Sequence, residues 1–437
     1  MRPVASLPAP APAQVAALRA ELPALEHAYA ALRGGNVTLD LTRGKPAADQ
    51  LNLADQLDGI LRGNYLAADG TDTRNYGGGL RGLLEARALG AALLDAPVET
   101  VMAGDNSSLS LMYLYLETAM LFGVRGADTA WQAEARASGG SVRFLCPSPG
   151  YDRHFAICEQ LGIQMINVAM QAHGPDMDQV ETLVASDPLI KGIWCVPKHA
   201  NPTGCIYSDA VVARFAALPT RAGANFRIMW DNAYAVHDLA PTVAPLASLA
   251  ALAARAGTAD AIVQTTSTSK ITFAGGGISF LATSEANLAA FERRLACMTI
   301  GPDKVNQLRH VRLLPDRAAV DAHMAHHAEL LRPKFALVLA QLSKDLGASG
   351  VAQWREPVGG YFISLDTAPG LAKEVIRLAA ELGVKITPAG ATFPYGRDPN
   401  DSNIRIAPTF PPMDDLERAI KAFTLCVKLA AARRTSH

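Results

Sequence analysis

Between about residue 80 and residue 285 the chain alternates helical segments with short apolar runs, and no other feature limits its possible folds as strongly. The runs are VRFLCP (142–147), QMINVAM (164–170), GIWCVP (192–197), FRIMW (226–230) and AIVQT (261–265), with FLATS (280–284) as a further one. Each is short, rich in β-branched or aromatic residues, and followed by polar loop residues. Strands buried on both faces have this composition, and the intervening helices are the crossovers that parallel neighbours need. The pattern predicts a three-layer α/β/α domain with a mostly parallel sheet.

After about residue 300 the texture changes. A long helical stretch (317–346) is followed by GGYFISLD (359–366), a helix near 371–383, VKITPA (384–389), NIRIAPTF (403–410) and a final helix (413–432). This order predicts a smaller α+β domain. Upstream, residues 13–32 have helical periodicity, and DLTRGKPAADQLNLAD (40–55) is a loop rich in Gly, Pro and Asp. The expected division is an N-terminal arm and part of the small domain (1–65), a large domain (66–315) and a C-terminal small domain (316–437). The opening MRPVASLPAPAPAQ lacks the apolar core of a signal peptide and is expected to form an extended arm.

Composition removes several alternatives. A net charge of −1 gives no electrostatic case for nucleic acid or an anionic membrane surface. The longest apolar windows, such as LSLMYLYLETAMLFGV (109–124), fall short of the ~20 residues of a spanning helix. Six scattered cysteines without a CxxC pair indicate a reduced, cytoplasmic protein, with Cys195 and Cys205 as packing residues. No HExxH or zinc spacing occurs, so no metal site is expected, and His323, His326 and His327 are read as a polar helix face.

Ligands in open α/β sheets bind beyond the carboxyl ends of the strands. The residues there are SPGYD (148–152), KHANPTG (198–204), DNAY (231–234) and TSTSK (266–270), while AGDNSS (103–108) leads into a helix. Such a set fits a flat, anionic, nitrogen-containing cofactor. A helix start at Asn106, Ser107 and Ser108 can hold a phosphate. Asp231 can pair with a protonated ring nitrogen, and Lys270 can form a Schiff base. Each feature alone has an ordinary explanation. A strand-end lysine is usually solvated, NPTG makes a turn, and Asp231 can cap a helix. Tyr151 can pack, and Arg405 can form a surface ion pair worth ~0–1 kcal/mol.

Taken in order, NPTG, D-x-x-Y about thirty residues on, S-x-S-K and an arginine inside NIRIAP resemble the signature set of the fold-type I pyridoxal-phosphate aminotransferases. The resemblance runs from about Asp40 to Pro411. DLTRGKP, NYGGGLRG, PKHANPTG and SKITFAGGG resemble a divergent branch of aspartate aminotransferases. The resemblance implies pyridoxal 5′-phosphate as cofactor, bound by Lys270, which then shuttles the substrate's Cα proton. It implies that Asp231 pairs with the ring nitrogen, that Asn201 and Tyr234 donate to the ring oxygen, and that Tyr151 stacks on the ring. Ser107, Ser108 and Ser267 would contact the phosphate, with Asn106 nearby. Arg405 would bind the substrate α-carboxylate, helped by the backbone at Gly44. Tyr76 would reach the phosphate of a neighbouring subunit in a homodimer with shared active sites. The implied reaction is ping-pong transfer between a dicarboxylic amino acid, aspartate, and 2-oxoglutarate. Other expectations are a β-elimination or decarboxylation on the same fold, and a ligand-sensing regulator. The regulator is disfavoured because the roughly 40 residues before DLTRGKP are not basic and contain no helix-turn-helix pattern.

The sequence departs from the family pattern in two places. Where an arginine usually grips the phosphate, about eight residues after the lysine, this chain has Ile278 in FAGGGIS. The glycine run offers backbone N–H groups instead, and Lys304 is a candidate replacement cation. The cation for a distal substrate carboxylate has no motif, and Arg43, Lys45, Arg309 and Arg397 are its candidates. Lys198 and His199 are distinctive to this branch and have no assigned role.

Overall fold

The computed structural model describes residues 11–34 and 38–435. Most of the extended arm expected at the N-terminus therefore lies outside the described residues, and its last three positions (12–14) already belong to the first helix, Pro12–Leu32. The strands, in chain order, are β1 (Leu39–Asp40), β2 (Val101–Ala103), β3 (Arg143–Ser148), β4 (Gln164–Gln171), β5 (Gly174–Pro175), β6 (Ile190–Cys195), β7 (Arg227–Asp231), β8 (Ile262–Ser267), β9 (Ser279–Ala282), β10 (Ala352–Trp354), β11 (Ile363–Thr367), β12 (Val384–Lys385) and β13 (Asn403–Ile406).

Eight of them form one sheet in the order β2-β9-β8-β7-β6-β3-β4-β5. The five central strands run parallel, and antiparallel pairing is confined to the flanks, at β2·β9, β8·β9 and β4·β5. This is the three-layer α/β fold that the apolar runs predict. Strands β6 and β7 are buried at every position, as helices on both faces require. The chain proceeds outward from β3 to β4 on one side and from β6 through β7 to β8 on the other. The crevice between β3 and β6 is thus a switch point, where loops diverge and leave room for a ligand. Tyr151 follows β3 and Asn201 follows β6, so they flank that crevice.

The smaller sheets are an antiparallel trio, β10-β11-β13, and a parallel pair, β1·β12. VKITPA supplies only Val384 and Lys385 to a strand, because Pro388 has no N–H for a ladder. The helix expected from residue 109 spans Ser108–Glu117 and then widens into a π-type turn, Thr118–Phe122. The helix Arg317–Leu346 spans two cores. Val320 and Met324 pack with Phe280 of the large sheet and with Ile271 and Ile278 beside it, whereas Leu331, Phe335 and Val338 pack with Ile363 and Leu365 of the small one. Among the described residues, no helix is long and apolar enough to cross a membrane.

Candidate active site

A cavity of 460 Å³ lies at the carboxyl ends of β6, β7 and β8, roofed by residues at and beside β11, β12 and β13. Asn201, Asp231, Tyr234 and Lys270 come from the large sheet, and Arg405, Thr387 and Phe362 from the other side. Asp231 and Thr265 are register partners, so the carboxylate and the lysine five residues beyond Thr265 leave the sheet at the same edge. Burial pushes the Lys270 amine below the ordinary lysine range, and the Asp231 carboxylate opposes that shift. The amine sits 5.2 Å from the centre of the Tyr234 ring.

Asp231 is 3% exposed, and it is held on both oxygens. His154 Nε2 lies 3.0 Å from Oδ2, and Thr265 Oγ1 donates to Oδ1 at 3.4 Å. The His154 ring is sandwiched, stacked on Trp194 at 4.1 Å and edge-on to Tyr151 at 5.0 Å. Sequence reasoning missed His154. Its only sequence signal is a position three residues beyond Tyr151, one helical turn along Asp152–Gln160. Burial, with the charges of Asp231 and Asp152, pushes the Tyr151 hydroxyl up to about 12, and burial raises Tyr234 well above the ordinary tyrosine value. Both phenols are neutral donors at any physiological pH.

Arg405 leaves β13 and is 8% exposed. Its guanidinium donates to Asn201 Oδ1 at 3.2 Å, Thr387 Oγ1 at 3.2 Å, Thr42 O at 3.4 Å and Asp152 Oδ1 at 3.3 Å. Its Nε is buried without a partner. A buried arginine with a spare donor suits a carboxylate ligand. Gly44 faces the same space. A Cβ there would overlap the Phe362 ring, which itself lies 4.9 Å from the Arg405 guanidinium.

The hydroxyl cluster meets at the start of the helix Ser108–Glu117. Ser269 Oγ donates to Asn106 O at 3.1 Å, and Ser267 Oγ donates to Ser269 Oγ at 3.1 Å. Ser107 is the N-cap, yet its side chain makes no capping bond. Uncapped helix N–H groups beside serine hydroxyls are the donor set that a phosphate requires, so the residues present fit pyridoxal phosphate. Ser269, adjacent to Lys270, belongs to this cluster and was not expected there.

The glycine run differs from expectation. Its carbonyls are held by side chains from other elements: Gly275 O accepts from Asn106 Nδ2, and Gly276 O and Gly277 O accept from Asn306 Nδ2. The Gly276 N–H closes a turn on Phe273 O. Ile278, at the position of the missing arginine, is 1% exposed and packs in the core. Glycine is needed at 277, where a Cβ would stand 2.9 Å from Thr268 Oγ1. Lys304 begins the helix Lys304–Leu313, beside the AGDNSS loop, to which Asp303 N–H donates at Asp105 Oδ1 (2.9 Å). Burial lowers its amine, opposed by Asp105. Tyr76, on the NYGGG loop, is 78% exposed.

Of the four candidates for a distal carboxylate, Arg43 and Lys45 line the cavity, and the Lys45 ammonium rests 3.7 Å over the Phe410 ring. Arg309 and Arg397 are not among its lining residues, whereas Arg153, not considered from sequence, is. Lys198 and His199 now have a physical account. Lys198 Nζ and His199 Nε2 converge on Asp238, at 3.0 and 2.6 Å, and the His199 ring packs where a Cβ on Gly359 or Gly360 would stand. They tie the NPTG loop to the loop after β7 and to the turn before β11. The histidine group also departs from a polar face: His327 is 1% exposed and His323 is half-buried, and only His326 is exposed. Among the described residues no cluster could hold a metal ion.

The sequence pattern of the aspartate amino-transferase family matches residues 11–437. The chain belongs to that family. Aspartate aminotransferase of Corynebacterium glutamicum is 46% identical over 402 residues, covering 92% of this chain and 91% of the relative. The crystal structure of an aspartate transaminase from the same organism superposes with a TM-score of 0.92 at 43% identity over 99% of both chains. An α-aminoadipate aminotransferase of Thermus thermophilus, solved with a phosphopyridoxyl-leucine adduct, shares the fold at 18% identity (TM-score 0.74, covering 94% and 95%). The aspartate aminotransferase-family chain is therefore a transaminase of fold type I, a class for which pyridoxal phosphate is the implied cofactor.

Proposed function

We propose that this aminotransferase moves the amino group between aspartate and 2-oxoglutarate in a ping-pong sequence. The observation that carries the dicarboxylate reading is the charge of the cavity. Arg43, Lys45, Arg153 and Arg405 line it together with Lys270, against only Asp152 and Asp231. With Asp231 committed to a ring nitrogen, the surplus of cations suits a substrate with two carboxylates. The names of the Corynebacterium glutamicum relatives point the same way.

When bound, pyridoxal phosphate supplies the electron sink and carries the amino group between the two half-reactions. Asp231, braced by His154, stabilises a protonated ring nitrogen. Asn201 gives its carbonyl to Arg405 and so turns its amide nitrogen to the ring oxygen, with the Tyr234 hydroxyl as second donor. Tyr151 covers one ring face. Ser107, Ser108, Ser267 and Asn106 hold the phosphate, and Lys304 supplies the cation that Ile278 does not. Arg405 and the backbone at Gly44 orient the α-carboxylate. Lys270, its basicity lowered by burial, would take the proton from the substrate's Cα and return it on the other side of the transfer. Arg153 joins Arg43 and Lys45 as a candidate for the distal carboxylate.

The assembly in this reading is a homodimer. Tyr76 on the NYGGG loop, and Met298 and Ile300 in the segment 298–304, are exposed large residues, which suit a covered interface and a tyrosine that completes the neighbour's site. Six free cysteines accord with a cytoplasmic enzyme.

The test is steady-state transamination with L-aspartate and L-alanine for the wild type and for Arg43→Ala, Lys45→Ala and Arg153→Ala. The reading expects aspartate turnover in the wild type and a selective loss for aspartate in at least one variant. A wild type that prefers alanine would sink the substrate assignment and keep the family.

A further inference from the structure

The backbone carrying Lys270 leaves β8 and turns sharply, with the N–H groups of Ile271 and Thr272 both bonded to Thr268 O at 2.8 Å. The carbonyls of Lys270 and Ile271 are then left without a ladder or helix to satisfy them, and buried carbonyls need donors. Side chains from distant parts of the chain supply them. His237 Nε2 reaches Lys270 O at 3.3 Å and Tyr361 OH reaches it at 3.4 Å. Two imidazoles converge on Ile271 O, His323 Nε2 at 2.7 Å and His327 Nε2 at 2.9 Å, and their Nε2 atoms stand 3.2 Å from each other. The next residue is held too, with Thr272 Oγ1 at 2.9 Å from His310 Nε2.

The tautomer of His327 is fixed from behind. Gln50 Nε2 donates to its Nδ1 at 3.2 Å and to Tyr361 OH at 2.9 Å, so the hydrogen of His327 resides on Nε2 and points at Ile271 O. Burial keeps His237, His310, His323 and His327 below the ordinary histidine range. A neutral imidazole is well suited here. An arginine or lysine would satisfy the carbonyl but would add a permanent cation beside Lys270.

We propose that His323 and His327 are positioning residues for Lys270: by gripping the Ile271 carbonyl they fix the backbone from which the reactive amine projects. Both lie on the helix Arg317–Leu346, which packs against the large and the small sheet, so the grip also ties the lysine to the small domain. The proposal rests on Lys270 being the reactive lysine. Neither histidine touches substrate or cofactor; each acts through the main chain.

Release of the carbonyl would let the Lys270 side chain leave its place beside the Tyr234 ring and regain more of its ordinary basicity. The test uses the full-length chain freed of cofactor. The pH dependence of Lys270 methylation by formaldehyde and borane is followed by peptide mass spectrometry in the wild type, His323→Leu, His327→Leu and His327→Gln. The expected result is a titration midpoint below that of exposed lysines in the wild type, raised in both leucine variants, with methylation at pH 8 slowed about threefold or more. His327→Gln, which keeps a donor at the Nε2 position, restores the wild-type midpoint. Thermal unfolding of the same samples separates positioning from mere support. A lowered melting temperature with an unmoved Lys270 midpoint in the leucine variants overturns the proposal. His323→Leu leaves the His327 donor in place and keeps the test decisive where His327→Leu does not fold. Full transamination by Lys270→Ala would instead overturn the assignment of the lysine.

Discussion

The two sides of the Lys270 segment are built on opposite principles. In front, toward the cavity, polar groups have unused valences: Arg405 Nε is buried without a partner, and the Ser107 side chain makes no cap on the helix it begins. Behind, toward the long helix, carbonyls and hydroxyls are paired in a chain from Gln50 through His327 and Tyr361 to the main chain at 270 and 271, although His237 Nδ1 beside them is buried without a partner. An unpaired buried donor costs free energy, and one that faces a cavity is where a ligand can supply the partner. The cavity side, with its spare arginine donor, is where a ligand belongs, and the carbonyls gripped from behind are what hold the site rigid for it.

Substitutions can sharpen or break this contrast. The largest effect is expected from Lys270→Ala, which should lower transamination by at least about 10⁴-fold while the chain remains folded. Steady-state rates with matched circular dichroism check this, and a variant within tenfold of the wild type would remove the front from the chemistry.

Acid comes next and strikes the back. Burial and the neighbouring His323 hold His327 at about 4 in the fold, against 6.5 for an unfolded histidine. A folded-state value below the unfolded one favours the fold fully above pH 6.5, and the advantage is lost as pH falls toward 4. The loss reaches roughly 3 kcal/mol from this residue alone. Denaturant midpoints between pH 7 and 4 should fall steeply for the wild type and less steeply for His327→Gln. Equal slopes would show that the imidazole does not titrate with folding.

Arg405→Ala should cut kcat/KM for aspartate by about 100-fold, because its bonds to a carboxylate are charge-assisted. Arg405→Lys should recover only part, since an ammonium lacks the fork that spans Asn201, Thr387 and the substrate. Full recovery would mean that charge alone is read at this position. The smallest effect is expected for Lys304→Ala, about a tenfold weaker hold on pyridoxal phosphate. Unchanged affinity in a cofactor titration would leave the serine cluster and helix start as the whole phosphate site.

Much of the front was legible because its residues follow strands directly. Asp231 closes β7, Lys270 lies three residues past β8, and Asn201 and Tyr151 follow β6 and β3. A strand's end fixes where the next few side chains go, so local pattern suffices to bring them to one edge. The back was illegible for the complementary reason. His323 and His327 sit one helical turn apart on a sequence that reads as amphiphilic surface, and their partner carbonyl is more than fifty residues away. The sequence spacing cannot state that the facing element lacks donors. Ile278 and the glycine run show the same limit: whether a glycine offers its N–H or its carbonyl depends on Asn106 and Asn306, which approach from other elements. The cation for the distal carboxylate shifted likewise. Arg309 and Arg397 looked as eligible as Arg43 until the fold kept them from the cavity and brought Arg153 to its wall.

Sequence alone determined the alternation of the longer strands with helices, the layering and most of the groups at the carboxyl edge of the sheet, but not the short strands β1, β2, β5 and β10. Periodicity and strand-end chemistry are local, and a few neighbouring residues contain them. The tertiary structure decided which of those groups have spare hydrogen-bonding capacity and which backbone atoms need rescue. Those properties belong to pairs of atoms brought together from distant positions, and burial sets their energetic weight only once the chain has closed around them.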